Sequence, residues 1–188
     1  MEYAALLRGI NVGGNKIIKM DLLRQLCESL GLDGAQTLLQ SGNVVFRSAI
    51  KDREKLTKQI GSGIEKEFGF EVRVVVRSSV DLRRVIAKNP FKAAKTPNLS
   101  SFLVIFLDGK PTAQAFAELR GAYKGPEEMH LASEELYIYY TDGVGRSKLT
   151  NDLIQRKLQV TGTARNWNTV GKLLEMTERL RTTVPDLS

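Results

Sequence analysis

The chain has 188 residues, of which 42% are hydrophobic and 26% are charged, and this composition is typical of a globular protein rather than a disordered or fibrous one. No apolar run reaches the roughly 18 residues that span a membrane, and the longest, residues 102–107, has the length of a strand. The first residues lack the basic segment of a secretory signal. We therefore expect a soluble cytoplasmic protein with no membrane partner.

Cysteine and histidine are too scarce for most metal chemistry. The single cysteine, Cys27, excludes an internal disulfide and fits a reducing compartment. It shares an apolar stripe with Leu23 and Leu26, which favours a small buried core residue over a nucleophile. One cysteine and one histidine, His130, cannot form a structural zinc site. We predict no metal and no cofactor, although the composition leaves an oxygen-ligated Mg²⁺ or Ca²⁺ site open.

The net charge of +7 belongs to the first half of the chain. Residues 1–97 contain 17 basic and 10 acidic side chains, whereas residues 98–188 contain 11 of each. A basic lobe favours anionic partners such as phosphates, nucleotides, nucleic acid or acidic protein. The same charge is also expected of a surface that only keeps the protein in solution.

In chain order, the first half predicts alternating strands and helices. Its elements are a strand at 3–7, a Gly-rich loop at 8–19, a helix at 20–30, strands at 35–40 and 43–47, a helix at 53–68 and a strand at 70–77. The order β-α-β-β-α-β is that of the ferredoxin-like fold. In that fold two helices cover one sheet face, and the other face is open. The open face would carry a set of side chains that suits either phosphate contact or burial against the second half: Val45, Arg47, Arg73, Val75 and Arg77.

The second half repeats this order after a short helix at 80–88 and a linker-like stretch at 89–97. Its elements are a strand at 101–107, a helix at 111–119, strands at 128–132 and 136–140, a helix at 147–158, a strand at 160–163 and a terminal helix at 167–180. We predict an α+β protein of two ferredoxin-like halves, a pseudo-duplication, with the basic half at 1–97 and the half with the C-terminal helix at 98–188.

The most distinctive local motif is the Gly-rich loop that follows the first strand. It carries Arg8, Asn11, Gly13, Gly14 and Lys16. Loops of this kind direct backbone N–H groups at anions. The glycines lack the Gly-x-Gly-x-x-Gly spacing of a dinucleotide loop. Gly9 and Gly14 fit the spacing of a P-loop, but no Ser or Thr follows the lysine, as a P-loop requires. The loop therefore predicts either a non-standard anion site or a tight turn whose left-handed backbone requires Gly and Asn.

A polar turn, residues 40–43, precedes the third strand. In a βαββαβ unit the first and third strands are central and antiparallel, so this turn should lie beside the end of the first strand. We therefore expect Gln40, Ser41 and Asn43 close to the Gly-rich loop.

Two motifs of the second half also carry anion-binding groups. Arg146 and Lys148 flank Ser147, a candidate helix N-cap, in a segment that suits either a phosphate or an ordinary capped helix. Arg165 offers a bidentate anion clamp beside Trp167, whose expected role is packing. Asn166, Asn168 and Thr169 are the candidate caps of the last helix.

Other chemistries find little support. The third strand lacks the stacking aromatic residues of RNA-recognition domains. Tyr137 and Tyr139 share one strand face, which suggests a protein interface. No nucleophile elbow occurs, and His130 has no obvious nucleophile beside it, so whether the protein is an enzyme stays open.

Four stretches together resemble a bacterial family known as domain of unknown function 1697. They are residues 8–14, 40–46, 145–149 and 163–170. They span nearly the whole chain, and the resemblance implies a full-length α+β protein of two ferredoxin-like halves. It implies no activity.

Three functional hypotheses follow from the sequence. The first is binding of, or catalysis on, a small phosphorylated or anionic ligand at the Gly-rich loop, with Ser41 and Asn43 orienting the ligand and Arg146, Lys148 and Arg165 contributing from the second half. The second is nucleic-acid binding through the basic first half. The third is a protein-interaction module without catalysis. The oligomeric state is not predicted.

Overall fold

The computed structural model describes residues 1–91 and 99–182. Two four-stranded antiparallel sheets and six α-helices make up the regular structure of these residues, together with short 3₁₀ turns. The α+β prediction is confirmed. No helix of the described residues is long and apolar enough to cross a membrane.

The first sheet is built from the N-terminal half of the chain. Its elements are β1 (Glu2–Leu7), α1 (Met20–Ser29), β2 (Asp33–Thr37), β3 (Asn43–Arg47), α2 (Arg53–Phe68) and β4 (Val74–Ser78), followed by α3 (Ser79–Ala87). The strand order is β2-β3-β1-β4, so the first and third strands are central, as predicted. The predicted strands at 35–40 and 70–77 are shifted or shortened, because residues 38–42 and 70–73 form connections instead.

The second sheet repeats this arrangement. Its elements are β5 (Phe102–Leu107), α4 (Ala113–Ala122), β6 (Glu128–Ala132), β7 (Glu135–Tyr139), α5 (Asn151–Leu158) and β8 (Gly162–Asn166), followed by α6 (Trp167–Thr182). The strand order is β6-β7-β5-β8. Both sheets therefore have the same sequence of elements and the same strand order, as expected of two similar halves.

The likeness extends to single positions. Arg77 of β4 lies opposite Ala4 of β1, and Arg165 of β8 lies opposite Val104 of β5. Both arginines are buried, and each donates from Nη1 to the carbonyl of the residue before it, at 3.1 Å for Arg77 and 2.8 Å for Arg165. A shared register, residue type and hydrogen bond support a duplicated unit beyond the shared topology.

By its contacts the chain forms two compact units. One contains Met1–Arg84 and the chain from Lys172 onward, and the other contains Val85–Gly171. The predicted division at 97/98 lies between residues that are not described and stays a prediction.

Each unit has its own apolar core on the helix-covered side of its sheet. In the first unit the core includes Leu23 and Cys27 of α1, Leu56 of α2, and Leu7 and Phe46 of the sheet. Cys27 is fully buried, and burial raises the pKa of its thiol to about 12. The interpretation of Cys27 as an inert core residue is therefore confirmed.

The opposite face of the first sheet is buried as well. Val45, Val75 and Arg77 are each 5% exposed or less, although Arg73 is exposed. Val45, Val75 and Arg77 are thus removed from water, so burial, one of the two roles that the sequence left open for this face, is the one observed for them. The nucleic-acid hypothesis, which rests on the basic charge of the first half, stays a prediction.

Tyr137 and Tyr139 do not form an exposed surface either. Tyr137 is 1% exposed, and its hydroxyl donates to the carbonyl of Val85 at 3.0 Å. Tyr139 is 8% exposed and its ring lies 6.1 Å from that of Phe91. Trp167 stacks on Phe102 at 4.5 Å, which confirms its packing role.

Candidate functional site

The Gly-rich loop of the first unit is a small hairpin. Val12 and Asn15 form an antiparallel bridge, and Gly13 and Gly14 lie at its exposed tip with φ angles of 61° and 77°. Two successive positive φ angles are what a two-residue hairpin turn requires, and glycine adopts them without steric cost. The tight-turn interpretation therefore accounts for both glycines.

Asn11 ties this hairpin to the polar turn before β3. Its Nδ2 donates to the carbonyls of Gln40, at 2.8 Å, and Ile18, at 3.0 Å, while its Oδ1 accepts from the backbone N–H of Ile18 at 2.8 Å. Leu7 also donates its backbone N–H to the carbonyl of Gly42 at 2.8 Å. The predicted proximity of turn and loop is confirmed. Because the Asn11 amide already makes three hydrogen bonds, its observed role is structural.

The remaining predicted residues of the first unit are also engaged by their own surroundings. Lys16 Nζ donates to the carbonyl of Glu71 at 2.6 Å. Asn43 is fully buried and donates to the Leu38 carbonyl at 2.7 Å and to Ser41 Oγ at 3.2 Å. Arg8 is partly exposed, and its backbone N–H donates to Arg73. The loop is thus held together mainly by the polar groups proposed to bind a ligand.

Arg165 is no surface clamp. It is 7% exposed, and its Nη1 donates to Thr163 Oγ1 at 2.7 Å as well as to the Ala164 carbonyl. Burial lowers the pKa of its guanidinium to about 10, so the group stays protonated at neutral pH. Within its unit Arg165 belongs to the buried sheet surface.

A cleft of about 590 Å³ opens in the second unit, between the segment after α4 and the segment before α5. Its lining combines cationic, anionic, aromatic and small residues: Tyr123, Lys124, Gly125, Pro126, Glu127, Asp142, Arg146, Ser147 and Lys148. Ligand sites in proteins commonly have volumes of roughly 300–1,000 Å³. The predicted residues Arg146 and Lys148 therefore lie together in a cleft of suitable size.

Three cations line this cleft without being used elsewhere. Lys124, Arg146 and Lys148 are all exposed, and their side chains make no hydrogen bond or ion pair with the part of the chain that the structure describes. Glu127 and Asp142 supply two negative charges, so the lining carries a small positive excess. These cations can reach an anion without first breaking an internal bond.

Tyr123, Glu127 and Ser147 form a hydrogen-bonded group across the cleft. The Tyr123 hydroxyl donates to Glu127 Oε2 and lies 3.4 Å from Ser147 Oγ, which accepts from the Leu149 backbone N–H at 3.0 Å. Gly125 makes this closure feasible, because a Cβ at that position would collide with the Tyr123 hydroxyl and with Glu127 Oε2. The absence of a side chain at position 125 thus leaves room for the hydrogen bond between Tyr123 and Glu127.

The pKa shifts of Tyr123 and Glu127 fit a role in positioning a ligand. Burial and the hydrogen bond to Glu127 raise the pKa of Tyr123. Burial opposes ionisation of Glu127, but hydrogen bonds from Ser147 and Tyr123 leave its pKa below the usual range. At neutral pH the phenol is therefore protonated and the carboxylate ionised. An efficient general base has a pKa near the working pH. The pKa of Tyr123 is raised and that of Glu127 is lowered, so both are shifted away from neutral pH.

The chain matches the model of the family described as "Protein of unknown function (DUF1697)" over residues 1–137. The match covers the N-terminal part of the first unit, Met1–Arg84, and most of the second sheet. The chain belongs to this family.

The likeness to a solved structure extends further along the chain than the DUF1697 match. The conserved bacterial protein SP0830 from Streptococcus pneumoniae is 23% identical, with a TM-score of 0.74 over 94% of this chain and 98% of that chain. At this identity the likeness establishes the fold. No curated protein matches the chain significantly.

Most members of the cleft, among them Tyr123, Lys124, Glu127 and Asp142, were missed from the sequence of this DUF1697 protein. Tyr123 and Glu127 lie in a connection without a motif, and Glu127 resembled an ordinary surface charge next to a turn. The one available indication was the Tyr-Lys-Gly-Pro-Glu run at 123–127, which combines an aromatic residue, a cation and a carboxylate around a Gly-Pro turn.

Ser147 has a different role from the one predicted. Helix α5 begins at Asn151, with Thr150 as its N-cap, and residues 144–146 form a 3₁₀ turn. The expectation that Ser147 caps this helix is wrong, because the side chain that accepts from a backbone N–H of its first turn, that of Leu153, belongs to Thr150. The dipole of α5 therefore gives no reason to expect a phosphate at Ser147, and the side chains of the cleft must carry that argument.

Proposed function

We propose that this protein binds a small anionic ligand, such as a phosphorylated metabolite, in the cleft of its second unit. The observation that carries the proposal is that three cations, Lys124, Arg146 and Lys148, line one cleft and that their side chains have no partner among the described residues. Cationic side chains that line a concave surface and are not engaged by the protein are available for charge-assisted hydrogen bonds to an anion.

The hydrogen-bonded group supports the same proposal. Lys and Arg supply charge, and Ser147 and Tyr123 supply hydroxyl groups held in place by Leu149 and Glu127. A ligand site needs few polar groups, provided that their positions are fixed. If chemistry follows binding, it would rest on positioning and electrostatics, because no base in this group is tuned toward neutrality.

The Gly-rich loop of the first unit is the competing location. Arg8 and Lys16 were predicted to neutralise charge there, but Lys16 and Asn11 bind backbone carbonyls in the structure. A ligand at this loop would have to compete with those bonds. We therefore place the ligand at the cleft and use Arg8 to test the alternative.

The experiment is a calorimetric titration with a panel of nucleotides and sugar phosphates. We expect at least one compound to bind, and the double variant Arg146→Ala/Lys148→Ala to weaken it by about tenfold or more, because charge-assisted hydrogen bonds contribute about 1.5–3 kcal/mol each. The matched control is Lys110→Ala/Arg156→Ala. It removes the same number of positive charges from exposed positions of the same unit that do not line the cleft.

Three outcomes are decisive. Loss of binding only in the cleft variant supports the proposal. Equal losses in the cleft variant and its control would show that only net charge matters, and would overturn it. A loss in Arg8→Ala with none in the cleft variant would move the ligand to the Gly-rich loop.

A further inference from the structure

A second recess shares part of its lining with the cleft. It has a volume of about 480 Å³ and is lined by Arg120, Tyr123, Lys124, Gly125, Glu127, Glu128 and Met129. Tyr123, Lys124, Gly125 and Glu127 line both spaces. The two spaces therefore share part of their walls, whereas Arg146 and Lys148 line only the first.

The size of these spaces argues against a simple inorganic anion. An inorganic phosphate would occupy only a small part of either volume. The lining of the cleft includes Tyr123 and Pro126, whose side chains offer carbon surface, and an inorganic ion makes no use of such surface. A ligand that matches the whole lining carries an apolar or aromatic group as well as its anionic group.

The charges of the lining add a requirement on the ligand beyond its anionic group and its apolar or aromatic group. Glu127 and Asp142 line the cleft beside its cations, and Glu128 lines the second recess. Carboxylates repel a highly charged anion such as a triphosphate but accept hydrogen bonds from sugar hydroxyls or amino groups. The lining therefore favours one phosphate joined to a group that donates hydrogen bonds.

Tyr123 is well placed to contact an aromatic ring. Its hydroxyl is held by Glu127 and lies near Ser147, which leaves the ring itself to line both spaces. Stacking of a nucleobase on an aromatic side chain is a sequence-tolerant interaction that every base can make.

On the basis of the proposed function, we infer that the ligand class of this cleft is a nucleoside monophosphate. The phosphate binds Arg146 and Lys148, the base contacts the Tyr123 ring, and the sugar hydroxyls donate to Glu127 or Asp142. Tyr123 then determines specificity by distinguishing a nucleotide from a sugar phosphate that carries the same charge.

The test compares three probes, AMP, ribose 5-phosphate and inorganic phosphate, by calorimetry with the full chain. We expect AMP to bind about tenfold or more tightly than ribose 5-phosphate, the factor expected for one stacked base. Tyr123→Leu, which keeps an apolar side chain but removes the ring, should abolish this preference. Tyr123→Phe, which keeps the ring but loses the bond to Glu127, should retain it. Circular dichroism confirms that each variant is folded.

The outcomes separate this inference from the proposal on which it rests. Equal affinity for AMP and ribose 5-phosphate, with both lost in Arg146→Ala/Lys148→Ala, would overturn the nucleotide inference and keep the anion site. An AMP preference that survives in Tyr123→Leu would also overturn it. If no probe binds, the inference fails together with the assignment of a monophosphate to the cleft. A preference that follows the Tyr123 ring supports the inference.

Discussion

The Gly-rich loop of the first unit and the cleft of the second contain similar residues but use them differently. Both occur where polar side chains gather at connections between the strands and helices of a βαββαβ order. In the loop, Asn11, Lys16 and Asn43 donate to backbone carbonyls of their own unit. In the cleft, the Arg146 and Lys148 side chains bind nothing within the described chain. A polar motif indicates a binding site only when its polar groups are not needed to hold the backbone.

The strongest test of this comparison is Gly42→Ala in the first unit. A Cβ at this position would lie 2.6 Å from Ile10 Cδ1 and 2.8 Å from Leu7 Cβ, and φ is +76°. We expect the free energy of unfolding in urea to fall by about 3 kcal/mol, from overpacking together with a left-handed backbone. The control, Gly13→Ala, has a similar φ but no atom within 4 Å, and should lose only about 1 kcal/mol. Equal losses would mean that the turn is not packed on the loop as described.

The next largest effect concerns the Asn11 side chain. Asn11→Ala removes three hydrogen bonds to the backbone, and we expect the free energy of unfolding to fall by about 2 kcal/mol. Asn15→Ala, in the same hairpin, removes a side chain for which the structure shows no such bonds, and should change stability by less than about 0.5 kcal/mol. A neutral Asn11→Ala would contradict the structural role of the loop and revive it as a ligand site.

In the cleft we expect a small, pH-dependent effect from Glu127→Gln. Because the folded pKa of Glu127 lies below its ordinary value, the carboxylate stabilises the fold above the unfolded pKa of about 4.3. This contribution is lost as the pH falls through the folded pKa. Since the group is partly exposed, the difference at pH 7 should stay within about 0.5 kcal/mol. Urea unfolding of the wild-type protein and of Glu127→Gln at pH 7 and pH 3 measures this difference in the free energy of unfolding. A difference that is larger at pH 3 than at pH 7 would contradict the lowered pKa of Glu127.

The smallest effect belongs to Arg146→Ala/Lys148→Ala. Both side chains are exposed and bind nothing within the described residues, so we expect stability to change by less than about 0.5 kcal/mol without ligand. The same urea melts provide the measurement. If the free energy of unfolding falls by more than about 1 kcal/mol, these side chains stabilise the fold as Asn11 does, and the basis for the cleft proposal is removed.

The sequence by itself determined the order of elements and most of their limits. Apolar periodicity placed α2 at Arg53–Phe68, and the terminal helix was predicted to begin at Trp167, where α6 begins. Asn166 was a candidate cap of that helix, and its Oδ1 accepts from the Thr169 N–H at 2.8 Å. These predictions succeed because helix periodicity and capping are local properties of the chain.

Only the tertiary structure decided which polar residues are available for binding. The sequence contains equally plausible anion ligands at Arg8, Lys16, Arg146, Lys148 and Arg165. Hydrogen bonds between distant residues engage Lys16, whose partner is Glu71, and burial removes Arg165 from the surface. The cleft itself depends on Tyr123 and Ser147, which are 24 residues apart and meet through folding. Burial and long-range hydrogen bonding depend on the packing of whole elements, so no local pattern of residues can report them.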